Sequence, residues 1–210
     1  MESPIPVSSI ELDNVYRVMD KRKSLGYSAR DLSFMLGYRA LYVRDVENPK
    51  HTLRYTPKDN NYLQLIFECP LSDILAGKIP EVNYLITIET HSYGTVSTNT
   101  IHRLNLPQAP IRLKEFKDED DTSVEIGTSE KIEIEKVINN LFNSVYFDQP
   151  KTALEILQSF KEIYRKTTPV HNVIAAIKKY TARRKAPRLI ENKNESGRTT
   201  FLKEPEIPQE

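Results

Sequence analysis

One cysteine, six glycines and no tryptophan mark what this 210-residue chain lacks. Cys69 alone forms no internal bridge, so no disulfide framework and no Cys-x-x-Cys redox or metal motif is available. So few glycines leave no Gly-rich phosphate loop, and the Gly-x-Ser-x-Gly and His-Glu-x-x-His signatures are missing as well. The expectation is therefore a non-enzymatic chain with no cofactor and no identifiable small-molecule ligand. No apolar run reaches the roughly 20 residues that span a bilayer. Met1 to Ser9 lack the basic start and apolar stretch of a secretory leader. A cytoplasmic protein with no membrane partner is expected.

Acid is scarce where base is concentrated. Residues 161–203 hold twelve bases against three acids, a local charge of +9, within a chain of net charge +1. Residues 79–128 have the opposite bias, with four bases and eight acids. A basic region in a near-neutral chain is the electrostatic footprint of a phosphate-binding module.

Helix signals fill residues 1–78. Ser8-Ser9-Ile10-Glu11 reads as a capping box ahead of Leu12, Val15, Val18 and Met19 at helical spacing. Gly26 turns the chain, Ser28 caps a short helix with Leu32, Met35 and Leu36 inside, and Gly37 breaks it. A third helix is expected from about Arg39 to Glu47, burying Val43 and Val46. Thr56-Pro57-Lys58-Asp59 opens a fourth, and Leu71, Ile74 and Leu75 mark a short fifth.

Two short helices about a glycine turn, set among three others, resemble the repressor-type (Cro-like, XRE-like) helix-turn-helix family over residues 10–77. The residues carrying the resemblance are Arg22, Leu25-Gly26-Tyr27-Ser28, Asp31-Leu32, Leu36-Gly37, Val43, Val46-Glu47-Asn48 and Leu71-Ser72-Asp73-Ile74-Leu75. The resemblance implies an internal ion pair between Arg22 and Glu47. It also implies phosphate contact around Tyr27, Ser28 and Arg30, and base reading from Ala40, Leu41, Arg44 and Asp45. The chain departs from the family pattern here. Ala40 and Leu41 offer a thymine methyl only apolar contact, so Arg44 is the one strong base-edge donor. Pro49 replaces a frequent glycine and removes a backbone N–H. Arg39, Lys50, His51 and Arg54 add positive charge nearby.

After Pro80 the pattern turns to β. Tyr84 to Thr90, Thr95 to Leu104 and the Ile111, Leu113, Phe116 alternation suit a central antiparallel hairpin or small sheet, with a turn at Tyr93-Gly94. His91 and His102 are placed to face each other across it, and two histidines without further ligands read as ordinary surface residues. Asp118-Glu119-Asp120-Asp121 reads as a solvated linker.

From residue 129 the helical period returns. Ile134 to Phe142 form one stripe, Pro150 opens a second helix around Ile156 and Phe160, and Thr168-Pro169 caps a third. Two extended runs, 187–192 and 198–203, flank Asn194-Glu195-Ser196-Gly197, a hairpin turn composition. Three helices and a hairpin resemble the winged-helix family over residues 129–203, with a disordered tail at 204–210. The resemblance places the third helix in the major groove and the hairpin on the backbone or minor groove. At ~100° per residue, Val170, Val173, Ile174, Ile177 and Tyr180 share the inner face. His171, Asn172, Ala175, Lys179 and Arg183 share the outer one, with Lys178 at its edge. Arg184, Lys185, Arg188, Lys193 and Arg198 continue the charge into the hairpin.

The expected fold is thus mainly α with small β elements (α+β), in three parts: 1–78, 79–128 and 129–203. The expected function is a homodimeric transcriptional regulator binding double-stranded DNA. The alternative is an interaction or assembly module using the same folds for protein contacts.

Overall fold

Reciprocal caps start two of the N-terminal helices. The Asp31 N–H donates to Ser28 Oγ at 3.0 Å while the Ser28 N–H donates to Asp31 Oδ2 at 3.1 Å. Thr56 and Asp59 exchange the same two bonds at 3.2 and 3.0 Å, with Pro57 at the first helical position. Each pair satisfies donors that a helix start leaves without partners.

The computed structural model describes residues 4–79, 82–93, 96–105, 108–118, 128–164 and 169–204. Its elements run β1 (Ile5–Ser8), α1 (Ser9–Ser24), α2 (Ala29–Met35), α3 (Tyr42–Glu47), α4 (Pro57–Phe67), α5 (Leu71–Ile74), β2 (Asn83–Tyr93), β3 (Val96–Asn105) and β4 (Gln108–Asp118). Then come α6 (Thr128–Asn143), a 3-10 turn at Tyr146–Asp148, β5 (Lys151–Thr152), α7 (Ala153–Tyr164), α8 (Val170–Thr181), β6 (Arg188–Lys193) and β7 (Thr199–Glu204). The class is α+β with two small antiparallel sheets. Among the described residues no helix is long and apolar enough to cross a membrane.

The chain forms two compact units, and neither is continuous. Unit 1 comprises Met1–Gly26 and Val43–Thr122; unit 2 comprises Tyr27–Tyr42 and Ser123–Glu210. The expected boundaries at 78 and 128 are therefore not the ones drawn by packing. Residues 79–118 share a unit with α1, and α2 belongs with the C-terminal elements.

In unit 1 the sheet order is β1-β2-β3-β4. The strand β1 is a correction to the sequence reading: Ser8 ends a strand paired to Asn83, and its side chain makes no cap bond. Val7, Leu12, Ile86 and Ile101 form one buried cluster, so the sheet lies on α1. The four strands need an apolar layer to pack against, and the helix supplies it. Register shifts in β3–β4 bring both Leu113 and Phe116 onto that cluster, where strict alternation would separate them. Asn14 on α1 donates to Asn60 Oδ1 at 3.1 Å and to the Ile74 carbonyl at 2.7 Å, tying α4 and α5 to the first helix.

After α2, unit 2 continues from α6 in the order helix, strand, helix, helix, hairpin, with sheet order β5-β7-β6. Thr152 lies in β5, a two-residue strand that sequence reading assigned to the helix start. Its hydroxyl accepts from the Glu155 N–H at 3.3 Å as α7 begins. Ile134, Ile138, Phe147, Ile156, Phe160, Val173 and Phe201 are buried in this unit. The hairpin turn forms as expected at Asn194 to Gly197, with Gly197 at φ 75°. Thr168 of the expected cap, Pro80, Gly94, Glu119 to Asp121 and the tail from 205 lie outside the described residues.

The Arg22–Glu47 pair is present in unit 1. Arg22 Nε is 2.6 Å from Glu47 Oε1 and its NH2 2.5 Å from Oε2, both side chains being about nine-tenths buried. Removing one partner strands the other charge, so Arg22→Ala is expected to cost on the order of 3–5 kcal/mol. Urea denaturation reads this directly, and an unchanged midpoint contradicts a buried, two-point ion pair.

Candidate nucleic-acid interface

Helix α8 carries the densest set of expected contacts. Val170, Val173, Ile174, Ile177 and Tyr180 are buried as expected, but so are Asn172 and Ala176. Asn172 is only 8% exposed, and its Nδ2 sits 2.6 Å from His171 Nε2. It is corrected from an outer-face base reader to a residue inside the unit. The open arc runs through His171, Ala175, Lys178 and Lys179 to Ala182 just past the helix end, and Lys178 stands at its edge as expected.

The cations around this arc differ in what already holds them. Lys179 Nζ pairs with Glu135 Oε1 of α6 at 2.6 Å, both side chains about half exposed, an arrangement worth ~1 kcal/mol at most. Arg183 lies over the Tyr180 ring at 4.2 Å and the Phe142 ring at 5.0 Å and donates to the Pro187 carbonyl at 3.1 Å. Arg188 pairs with Glu204 across the hairpin. Arg184 and Lys185 are exposed.

The hairpin cations point elsewhere. Arg198 is 4% exposed, donates from NH1 to the Leu36 carbonyl at 2.6 Å, and lies over the Tyr38 ring at 5.3 Å. The Thr199 N–H and hydroxyl donate to the Gly37 carbonyl at 2.8 and 2.9 Å, joined by Lys193 Nζ at 3.2 Å. Arg198 is thus corrected from a phosphate contact to a structural donor. Sequence reading missed this dock because its partners lie about 160 positions apart. Gly37, at φ +73°, was legible only as a helix breaker. A Cβ there would stand 2.9 Å from the Thr199 nitrogen and Arg198 Cβ, so glycine is required twice over.

Of the N-terminal candidates, Arg30, Arg39, Ala40 and Leu41 are exposed in unit 2. Ala40 and Leu41 form a turn ahead of α3, which starts at Tyr42 and is shorter than expected. Ser28 is engaged as the α2 cap. In unit 1, Arg44 and Lys50 are exposed, and His51 Nε2 lies 3.7 Å from Asp45 Oδ1, near the one acid on the α3 surface.

The sheet histidines and Cys69 are the remaining chemically reactive side chains that stand out in the sequence. His91 pairs in register with Thr98 and His102 with Thr87, so the histidines are not opposite each other. Glu89 lies between them, 3.0 Å from His91 Nε2 and 3.6 Å from His102 Nε2. Among the described residues no three metal-ligating side chains converge. Burial pushes the Cys69 thiol up, with Lys21 opposing, so it stays protonated at neutral pH.

No family model, curated protein or solved structure matches the chain.

Arg198→Ala leaves the Leu36 carbonyl without its charged donor and is expected to cost about 1.5–3 kcal/mol. Lys178→Ala, on the open arc, is expected to change stability by less than about 0.5 kcal/mol. Equal effects of the two in parallel thermal melts would contradict the assignment of one as structural and the other as free.

Proposed function

We propose that the chain is a transcriptional regulator that binds double-stranded DNA through unit 2, as a homodimer and without catalysis or cofactor. The observation that carries the reading is the open face of α8. His171, Lys178 and Lys179 share it with two alanines, and it runs on into exposed Arg184 and Lys185. No aspartate or glutamate occurs between Glu162 and Glu191. Small and cationic side chains on a helix surface admit close approach to a phosphate-lined groove and neutralise it.

The element order and the β5-β7-β6 sheet support a winged-helix arrangement in which α8 enters the major groove. The pair Lys179–Glu135 does not oppose this, because so exposed a pair exchanges readily for a phosphate.

An interaction module is the second reading, favoured by Leu41, 52% exposed in unit 2 along with the Tyr38–Tyr42 ring contact at 4.2 Å. Salt separates the two. Binding to a DNA duplex is expected to weaken steeply with salt, and the triple variant Lys178→Ala, Arg184→Ala, Lys185→Ala is expected to make the log–log slope shallower by about 2–3. Fluorescence anisotropy over a salt series measures both. No duplex binding at low salt, or a slope unmoved by the triple variant, contradicts the DNA reading on this face.

A further inference from the structure

More than half of one sheet edge in unit 1 is left open. Strand β1 pairs with β2 only from Asn83 to Ile86, whereas β2 runs on to Tyr93. Among the described residues no strand pairs with Thr87 to Tyr93 on that side. The phase of the ladder is fixed where the Ser9 N–H donates to the Val82 carbonyl at 2.9 Å. Backbone groups alternate sides along a strand, so Ile88, Thr90 and Ser92 turn theirs toward the open side. Pro6, which has no N–H, stands opposite Leu85 in the other phase, as this requires. Glu89 to Tyr93 are exposed, Tyr93 to 81%.

The edge at β4 carries Pro110, Arg112, Lys114 and register shifts against β3, all of which discourage strand addition. The Thr87–Tyr93 stretch has no proline, lysine or arginine and keeps an unbroken register with β3. It is also complementary to itself. Its midpoint is Thr90, and an antiparallel pairing about Thr90 sets Glu89 opposite His91 and Ile88 opposite Ser92. Thr87 then meets Tyr93, so the whole open edge is used. Centring on Glu89 or His91 instead sets like side chains against each other and shortens the ladder.

We infer that two copies of the chain pair antiparallel through this edge about Thr90, joining their four-stranded sheets into one. The inference rests on the homodimer of the reading above and needs no DNA. Ile88, Thr90 and Ser92 of each copy donate to carbonyls of the other, and the ladder starts one residue past Ile86, so β1 keeps its place. On the face away from α1, Glu89 of each copy meets His91 of the other, beside its own His91 at 3.0 Å and His102 at 3.6 Å. Thr–Thr and acid–base pairs directly opposite each other are favourable cross-strand neighbours.

The test uses the full-length chain and reads mass alone. Sedimentation over a concentration series is expected to show a monomer–dimer equilibrium. Thr90→Pro removes the N–H on the open side and spares the ladder to β3, and is expected to weaken dimerisation about tenfold through two lost bonds. Thr90→Lys, which sets two like charges at the axis, is expected to weaken it as well and decides the matter should the proline variant fail to fold. In a Cys69→Ser background, Thr90→Cys places two Cα atoms about 5.5 Å apart, within disulfide reach. It should cross-link on mild oxidation, whereas Ser92→Cys, displaced by four residues from its own copy, should not. A monomer at every concentration overturns this inference and the homodimer together, leaving DNA binding by α8 to its own salt test. A dimer that Thr90→Lys does not weaken, or that cross-links at Ser92→Cys as readily as at Thr90→Cys, overturns this inference alone.

Discussion

The carbonyls of Leu36 and Gly37 are the point on which unit 2 depends. A helix leaves its last carbonyls without internal donors, and α2 satisfies two of them itself. The Tyr38 N–H reaches back to the Ser33 carbonyl at 3.0 Å and the Gly37 N–H to Phe34 at 2.9 Å. The Leu36 and Gly37 carbonyls face the hairpin, where Arg198, Thr199 and Lys193 serve them. Only glycine adopts this turn without a Cβ colliding with the β7 backbone. The result is a helix that follows α1 in the chain and packs with elements more than a hundred residues away.

This dock explains why composition alone misassigns the hairpin. Counting charge treats Lys193 and Arg198 as free cations at the tip of a wing. Their environment shows one buried and the other bonded to a carbonyl. On the outer side of α8 the exposed cations are Lys178 and Lys179, with Arg184 and Lys185 beyond the helix end. The proposed DNA surface is therefore small, and each phosphate contact on it carries a large share of the expected affinity.

Local signals were legible in the sequence. The Ser28–Asp31 and Thr56–Asp59 caps, the glycine turns and the apolar stripes of α1, α6 and α8 depend on residues a few positions apart. The Arg22–Glu47 pair was legible through family resemblance, which carries a contact across 25 positions. What stayed hidden was non-local. Strand β1 forms because Ile5–Ser8 finds β2 some eighty residues on, and β5 is two residues fixed by pairing with β7. Asn172 is polar and lies at the expected outer angle, and no local rule shows that the unit buries it. The α3 helix starts three residues later than its pattern suggests, leaving Ala40 and Leu41 in a turn.

Residues 27–42 group with the C-terminal elements although they lie among N-terminal helices in the chain. Amide exchange of the wild-type protein across a urea series tests it most directly, because it groups segments by the opening reaction they share. The α2 amides are expected to open with β7 or at lower free energy, and to follow the urea dependence of α7 and α8 when the whole unit unfolds. Exchange of α2 in step with α1 and α4, on a urea dependence distinct from that of α7 and α8, would contradict it.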